Sequence, residues 1–168
     1  MMFSFINSGM VAATQRFISY ELGRKNIVRL NQVFSMAIIV HFLLMVLIFL
    51  LAETFGLYFL NYHMNIAQER MYAANWVYQC SVLGFMLSVA SVPYSACIIA
   101  HEHMKIYAGI SIIDHLLKLL AVLILPFFTV DKLIVYAILI FLIAFLIRIF
   151  NTIYCKWHFS ECKFRFVK

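Results

Sequence analysis

Four apolar stretches, at Val33–Ala52, Met71–Ala100, Ile106–Val130 and Leu133–Cys155, each reach or exceed the ~20 residues that a helix needs to cross a bilayer. The loops between them are short except for Glu53–Arg70, which leaves little room for an extramembrane catalytic domain. Only 12% of residues are charged and 65% are hydrophobic, with a mean hydropathy of +0.97. Soluble domains carry roughly a quarter charged residues, and a small one leaves much of its surface in water. The pattern therefore predicts an all-α, polytopic transmembrane helix bundle, a single membrane domain over residues 1–168. The second stretch exceeds one bilayer thickness, so it must tilt, kink or project, and Pro93 is the candidate kink. Residues 1–13 are too short to span alone and read as the end of a helix or an interfacial segment. Residues 14–31 read as a polar loop that can start helically, and residues 156–168 as a tail. A signal peptide is not expected at the N-terminus, because Met1–Thr14 has no basic region and no small-residue cleavage pattern follows.

The net charge of +6 would raise nucleic acid as a partner in a soluble protein. Here the basic residues lie between the apolar stretches, and no basic face with interleaved aromatics exists. Arg16, Arg24, Lys25, Arg29, Lys105, Lys156, Lys163, Arg165 and Lys168 fall on one side, and Arg70 and Lys132 on the other. The positive-inside rule then places the first loop, the His101–Lys105 turn and the tail in the cytoplasm. Glu53–Arg70 and the Thr129–Lys132 turn face outward.

The remaining two basic residues, Lys118 and Arg148, lie inside spans with Asp114. A charge at a helix centre costs about 2.5–3.5 kcal/mol on insertion scales, so these residues need partners or water. Asp114 and Lys118 are i,i+4 neighbours. At 1.5 Å per residue, Asp114 and Arg148 sit roughly 12 and 10 Å from the same membrane face. The expectation is a charged cluster lining a hydrated cavity. The alternatives are an ion pair that fixes helix packing and an Arg148 that snorkels to the interface. Ser81, Gly84, Ser88, Ser91 and Ser95 share one face of the second span. Such a stripe favours close helix approach, and it also suits a polar path. His41, the one strongly polar ring in the first span, is expected to hydrogen-bond a neighbouring helix or to carry protons.

Chemistry-bearing motifs are few. Cys155, His158 and Cys162 offer three zinc ligands at a spacing that common fingers do not use, with no fourth ligand. Of the other two cysteines, Cys80 and Cys97, both lie in apolar stretches and read as small buried hydrophobes. His101-Glu102-His103, with His115, invites a metal, but i and i+2 positions on a helix diverge. No phosphate loop, nucleophile elbow or HExxH motif occurs. No catalytic residue, metal or cofactor is assigned, and an enzyme is not expected.

Two stretches go further: Gly9–Asn26, GMVAATQRFISYELGRKN, and Val92–Leu120, VPYSACIIAHEHMKIYAGISIIDHLLKLL. Both resemble bacterial lipid-linked oligosaccharide (O-antigen and polysaccharide) flippases of the multidrug/oligosaccharidyl-lipid/polysaccharide exporter superfamily. In that family a second helix runs into an ATQRF…ELG loop, a fourth ends in a Pro-Tyr pair (here Pro93-Tyr94), and a turn of the IAHEHM-K-YA kind leads to a fifth. The resemblance implies that the four spans are helices three to six of one lobe of a two-lobe transporter, with residues 1–13 the end of a truncated helix two. It implies a bacterial inner membrane location and alternating access, with Asp114, Lys118, Arg148 and His41 on the substrate or ion pathway. Its implied partners are membrane lipid, a lipid-linked glycan and the remainder of the transporter. Cation-coupled multidrug efflux and a non-transporting interaction subunit are the competing expectations.

Overall fold

Inside an apolar segment a helix satisfies every backbone N–H and C=O locally, and this chain uses it throughout. The computed structural model describes residues 2–62, 64, 68–127, 131–159 and 162, which form an all-α bundle with no strand among them. The helices are α1 (Met2–Gly23), α2 (Ile27–Leu51), α3 (Leu57–Tyr62), α4 (Gln68–Ala100), α5 (Met104–Ile124) and α6 (Lys132–His158). A π-helical turn, Ala52–Gly56, joins α2 to α3 without a break, and a 3₁₀ turn, Leu125–Phe127, finishes α5. Four stretches are long and apolar enough to cross a membrane: Ile27–Tyr62, Arg70–Ala100, Met104–Phe127 and Lys132–His158.

Helix replaces loop in two places. The expected loop at residues 14–31 shrinks to Arg24–Asn26, because α1 continues to Gly23 and α2 starts at Ile27. Thr14, Ile18 and Glu21 explain this: at i, i+4 and i+7 they form one buried face, so the polar residues between them stay on the outside of a packed helix. The outward segment expected at Glu53–Arg70 is helical up to Tyr62 and again from Gln68, with residues 63 and 65–67 outside the described part. Residues 128–130 of the third expected span, Met1, and most of the tail also lie outside it.

Two tight connections sit at one end of the bundle. Asn26 caps α2 by accepting a 3.1 Å hydrogen bond from the Arg29 N–H. α4 ends in a Schellman motif: the His103 N–H donates to the Ile98 carbonyl and the Glu102 N–H to that of Ile99, with Glu102 left-handed at φ 60°.

Helix α4 is the central element. It packs against α1, α2, α5 and α6, and 44% of its most apolar window is buried, against 6% for that of α5. Small side chains make this possible: Ala96, Cys97 and Ala100 let neighbours approach closely. Pro93 is fully buried inside α4, where its missing N–H removes one helical hydrogen bond. Around it Ile18, Leu30, Phe34, Tyr94, Ile98 and Phe159 form a cluster, with the Phe34 and Tyr94 rings edge to face at 5.6 Å. The outer faces carry exposed Phe42, Leu43, Leu116, Leu119 and Phe150, the distribution expected where lipid is the solvent.

Candidate functional site: a polar cleft among four helices

Polar residues from four helices of this apolar bundle converge. A cleft of about 360 Å³ opens between α1, α4, α5 and α6. Helix α4 contributes Ser88, Ser91 and Ser95, three members of the small-residue stripe. Helix α5 contributes Tyr107, Ser111, Asp114 and Lys118, spaced 4-3-4 along one face, together with His115. Asn7 and Ser8 enter from α1, and Ala144, Ile147 and Asn151 from α6.

Hydrogen bonds hold these groups in place. The Asn7 amide donates to the Ser88 hydroxyl and ties α1 to α4. Ser91 and Asn151 anchor to the carbonyls one turn back, at Leu87 and Ile147. His115 Nδ1–H donates to the Ser111 carbonyl at 2.7 Å. The Lys118 ammonium meets the Asp114 carboxylate at 2.7 Å, and the side chains stay 44% and 21% exposed, so both charges remain available to whatever fills the cleft.

The expected charged cluster divides. Asp114 and Lys118 pair in the cleft, but Arg148 does not join them. Its guanidinium carbon lies 4.9 Å from the centre of the Tyr94 ring, a cation–π contact, and its Nη1 is buried without a hydrogen-bond partner. Arg148 shares a face of α6 with Ala144 and Asn151, which line the cleft, but its side chain turns to the Tyr94 ring of α4.

His41 also departs from expectation. Its Nδ1–H donates to the Ala37 carbonyl of its own helix at 2.7 Å, and its buried Nε2 has no partner. It lies beside a separate apolar groove between α1 and α2, together with Thr14 and Phe17. The stripe on α4 divides as well. Ser81 is exposed and bonds the Val77 carbonyl, and the space next to the Gly84 Cα is open, so neither lies at a close helix contact.

The histidine and cysteine motifs meet at the loop end of the bundle. His101 stacks on Phe159 at 4.1 Å, and His103 Nδ1 shares a 2.8 Å hydrogen bond with the Tyr154 hydroxyl. His158 stacks on Tyr154, while the Cys155 thiol donates to the Tyr94 carbonyl. Among the described residues no three His, Cys, Asp or Glu side chains are arranged to hold a metal ion.

Asn7, Tyr107, Ser111 and Asn151 were not singled out from sequence. The 4-3-4 spacing of Tyr107, Ser111, Asp114 and Lys118 was the available signal. A space faced by hydroxyl, amide, ammonium and carboxylate groups suits binding and passage of a polar group. No family model, curated protein or solved structure matches the chain.

Proposed function

We propose that this chain is part of a polysaccharide-export transporter of the flippase type. It moves a polyprenyl-diphosphate-linked oligosaccharide across the bacterial inner membrane by alternating access of two lobes, with its basic loops and both flanking ends in the cytoplasm. The observation that carries this reading is the Asp114–Lys118 pair inside the serine-lined cleft. An i,i+4 ion pair as exposed as this one contributes only about 0.3–0.5 kcal/mol. Each charge costs about 2.5–3.5 kcal/mol to place in a span. Packing alone does not offset that cost, whereas a hydrated path with a task for the charges does. Lys118 attracts the anionic headgroup or acidic sugars, Asp114 balances it, and the serine and asparagine groups replace water around sugar hydroxyls. The resemblance of Gly9–Asn26 and Val92–Leu120 supports the same class. The remainder of the transporter supplies the facing lobe.

Deleting the gene tests this reading. Lipid-linked glycan accumulating on the cytoplasmic face is the expected result. Unchanged surface glycan with raised sensitivity to cationic dyes would instead favour cation-coupled drug efflux. Co-purification with a membrane partner and neither phenotype would favour a non-transporting subunit.

A further inference from the structure

Three of the four cysteines gather at the loop end of the bundle, away from the cleft. Cys97 lies in the last turns of α4, Cys155 in the last turns of α6, and Cys162 just beyond α6. All three are buried, at 2% exposure or less. The Cys97 and Cys162 sulfurs are 3.4 Å apart, though 65 residues separate them in sequence. Cys97 Sγ also lies 3.7 Å from His101 Nδ1, and the nearby Cys155 thiol donates to the Tyr94 carbonyl. A disulfide has a bond of about 2.05 Å, so the Cys97–Cys162 pair closes with a shift of little more than 1 Å.

The sites differ in how a reagent reaches them. Cys97 is enclosed between helices, with zero exposure. Cys162 follows the extended residue Phe159, which stacks on His101 and ends α6, and its N–H bonds the Phe159 carbonyl. The Cys162 thiol, 2% exposed against zero for Cys97, is the one that a small disulfide meets first.

We propose that Cys97 and Cys162 form a reversible cross-link by thiol–disulfide exchange with a low-molecular-weight disulfide. The Cys162 thiolate attacks one sulfur of the small disulfide, breaks its S–S bond and releases one small thiol. The Cys97 thiolate then attacks the Cys162 sulfur of the mixed disulfide, forms the Cys97–Cys162 bond and releases the second small thiol. The protein pair loses two electrons and two protons, and the two released thiols carry them. Exchange depends on the thiolate fraction and on access, so burial makes both formation and reduction slow. The product ties the segment after α6 to the end of α4 beside the His101–His103 turn. It fastens together the two helices that hold Tyr94 and Arg148.

The test uses the full chain in its membrane. Membranes are exposed for hours to oxidised glutathione and quenched in acid, and the chain is read by intact mass and by peptide mapping. The expected product has lost only two hydrogens, and its linked peptides contain Cys97 and Cys162. The C80S and C155S variants still form it, while C97S and C162S carry at most a glutathionyl adduct. A wild-type chain that acquires only glutathionyl adducts, or stays fully reduced, overturns the proposal. So does a map that pairs Cys97 with Cys155. Mapping the wild-type chain assigns the pair without any substitution, so a variant that fails to fold leaves the test intact.

Discussion

At the scale of single residues, three side chains carry tests of the account. Glu102 holds a left-handed backbone at φ 60°, a conformation that costs an L-residue about 1 kcal/mol or more and costs glycine nothing. Glu102→Gly is therefore expected to stabilise the chain by about 0.5–1 kcal/mol, net of the unfolded-state entropy of glycine, read as a rise in the thermal midpoint in detergent. Tyr94 carries the Arg148 guanidinium on its ring face. Tyr94→Phe keeps that face and is expected to be nearly neutral, while Tyr94→Leu costs up to about 2 kcal/mol through the lost contact. Lys118→Ala leaves the Asp114 carboxylate without its partner in a span. It is expected to lower both stability and glycan export, and adding Asp114→Ala is expected to restore stability while export stays lost. Export that recovers together with stability would reduce the pair to a packing device. Asp114, Lys118 and Arg148 were legible from sequence because a charge in an apolar stretch is conspicuous. How they sort was not, because which neighbour a long side chain turns to depends on tertiary packing that depth alone does not encode.

At the scale of elements, the π turn between α2 and α3 is the clearest local design. Widening the helix there leaves the Ala52 carbonyl accepting both the Leu57 N–H and the Tyr78 hydroxyl, the latter at 2.8 Å from α4. Gly56 makes room for this contact, since a Cβ at that position would run into the Tyr78 hydroxyl. Gly56→Ala and Tyr78→Phe each remove the same hydrogen bond, and each is expected to cost about 1 kcal/mol. In a double-mutant cycle their effects should fall well short of additive, because only one bond exists to lose. Additive costs would mean that the glycine serves some other purpose. Boundaries of this kind escape a hydropathy pattern. Residues 53–62 mix Glu53, Thr54 and Asn61 with aromatic side chains and read as a loop, yet the helix continues. Tyr58 and Tyr62 pack on each other at 5.0 Å, and Tyr72 and Trp76 at 6.3 Å, as an aromatic band suited to a membrane–water interface. The helical start of residues 14–31 runs on to Gly23 for a related reason. Polarity marks exposure, and a helix with one buried face is polar on the rest.

At the scale of the whole molecule, the class was legible and the interior was not. Apolar length alone gave four spanning helices, and the structure contains four that are long and apolar enough to cross a membrane. The tertiary arrangement adds that α4 is central and that the polar residues of α1, α4, α5 and α6 share one cleft. No pairwise spacing rule joins Asn7 to Ser88, because such a contact depends on which helices become neighbours. The proposed orientation places the Arg24–Asn26 loop in the cytoplasm. A cysteine introduced at Asn26 should react with an impermeant maleimide only after spheroplasts are lysed, and reaction in intact spheroplasts would invert the bundle. On the proposed reading the cleft is a hydrated path and not packed interior. The most direct measurement replaces the four native cysteines, introduces single cysteines at Ser95, Ser111 and Leu119, and follows labelling by a charged thiosulfonate in membranes. Ser95 and Ser111 line the cleft, and Leu119 is 56% exposed on the outer surface of α5. Rapid labelling is expected at the two cleft positions and none at the lipid-facing one. Equal rates at all three, or labelling at position 119 alone, would contradict that reading.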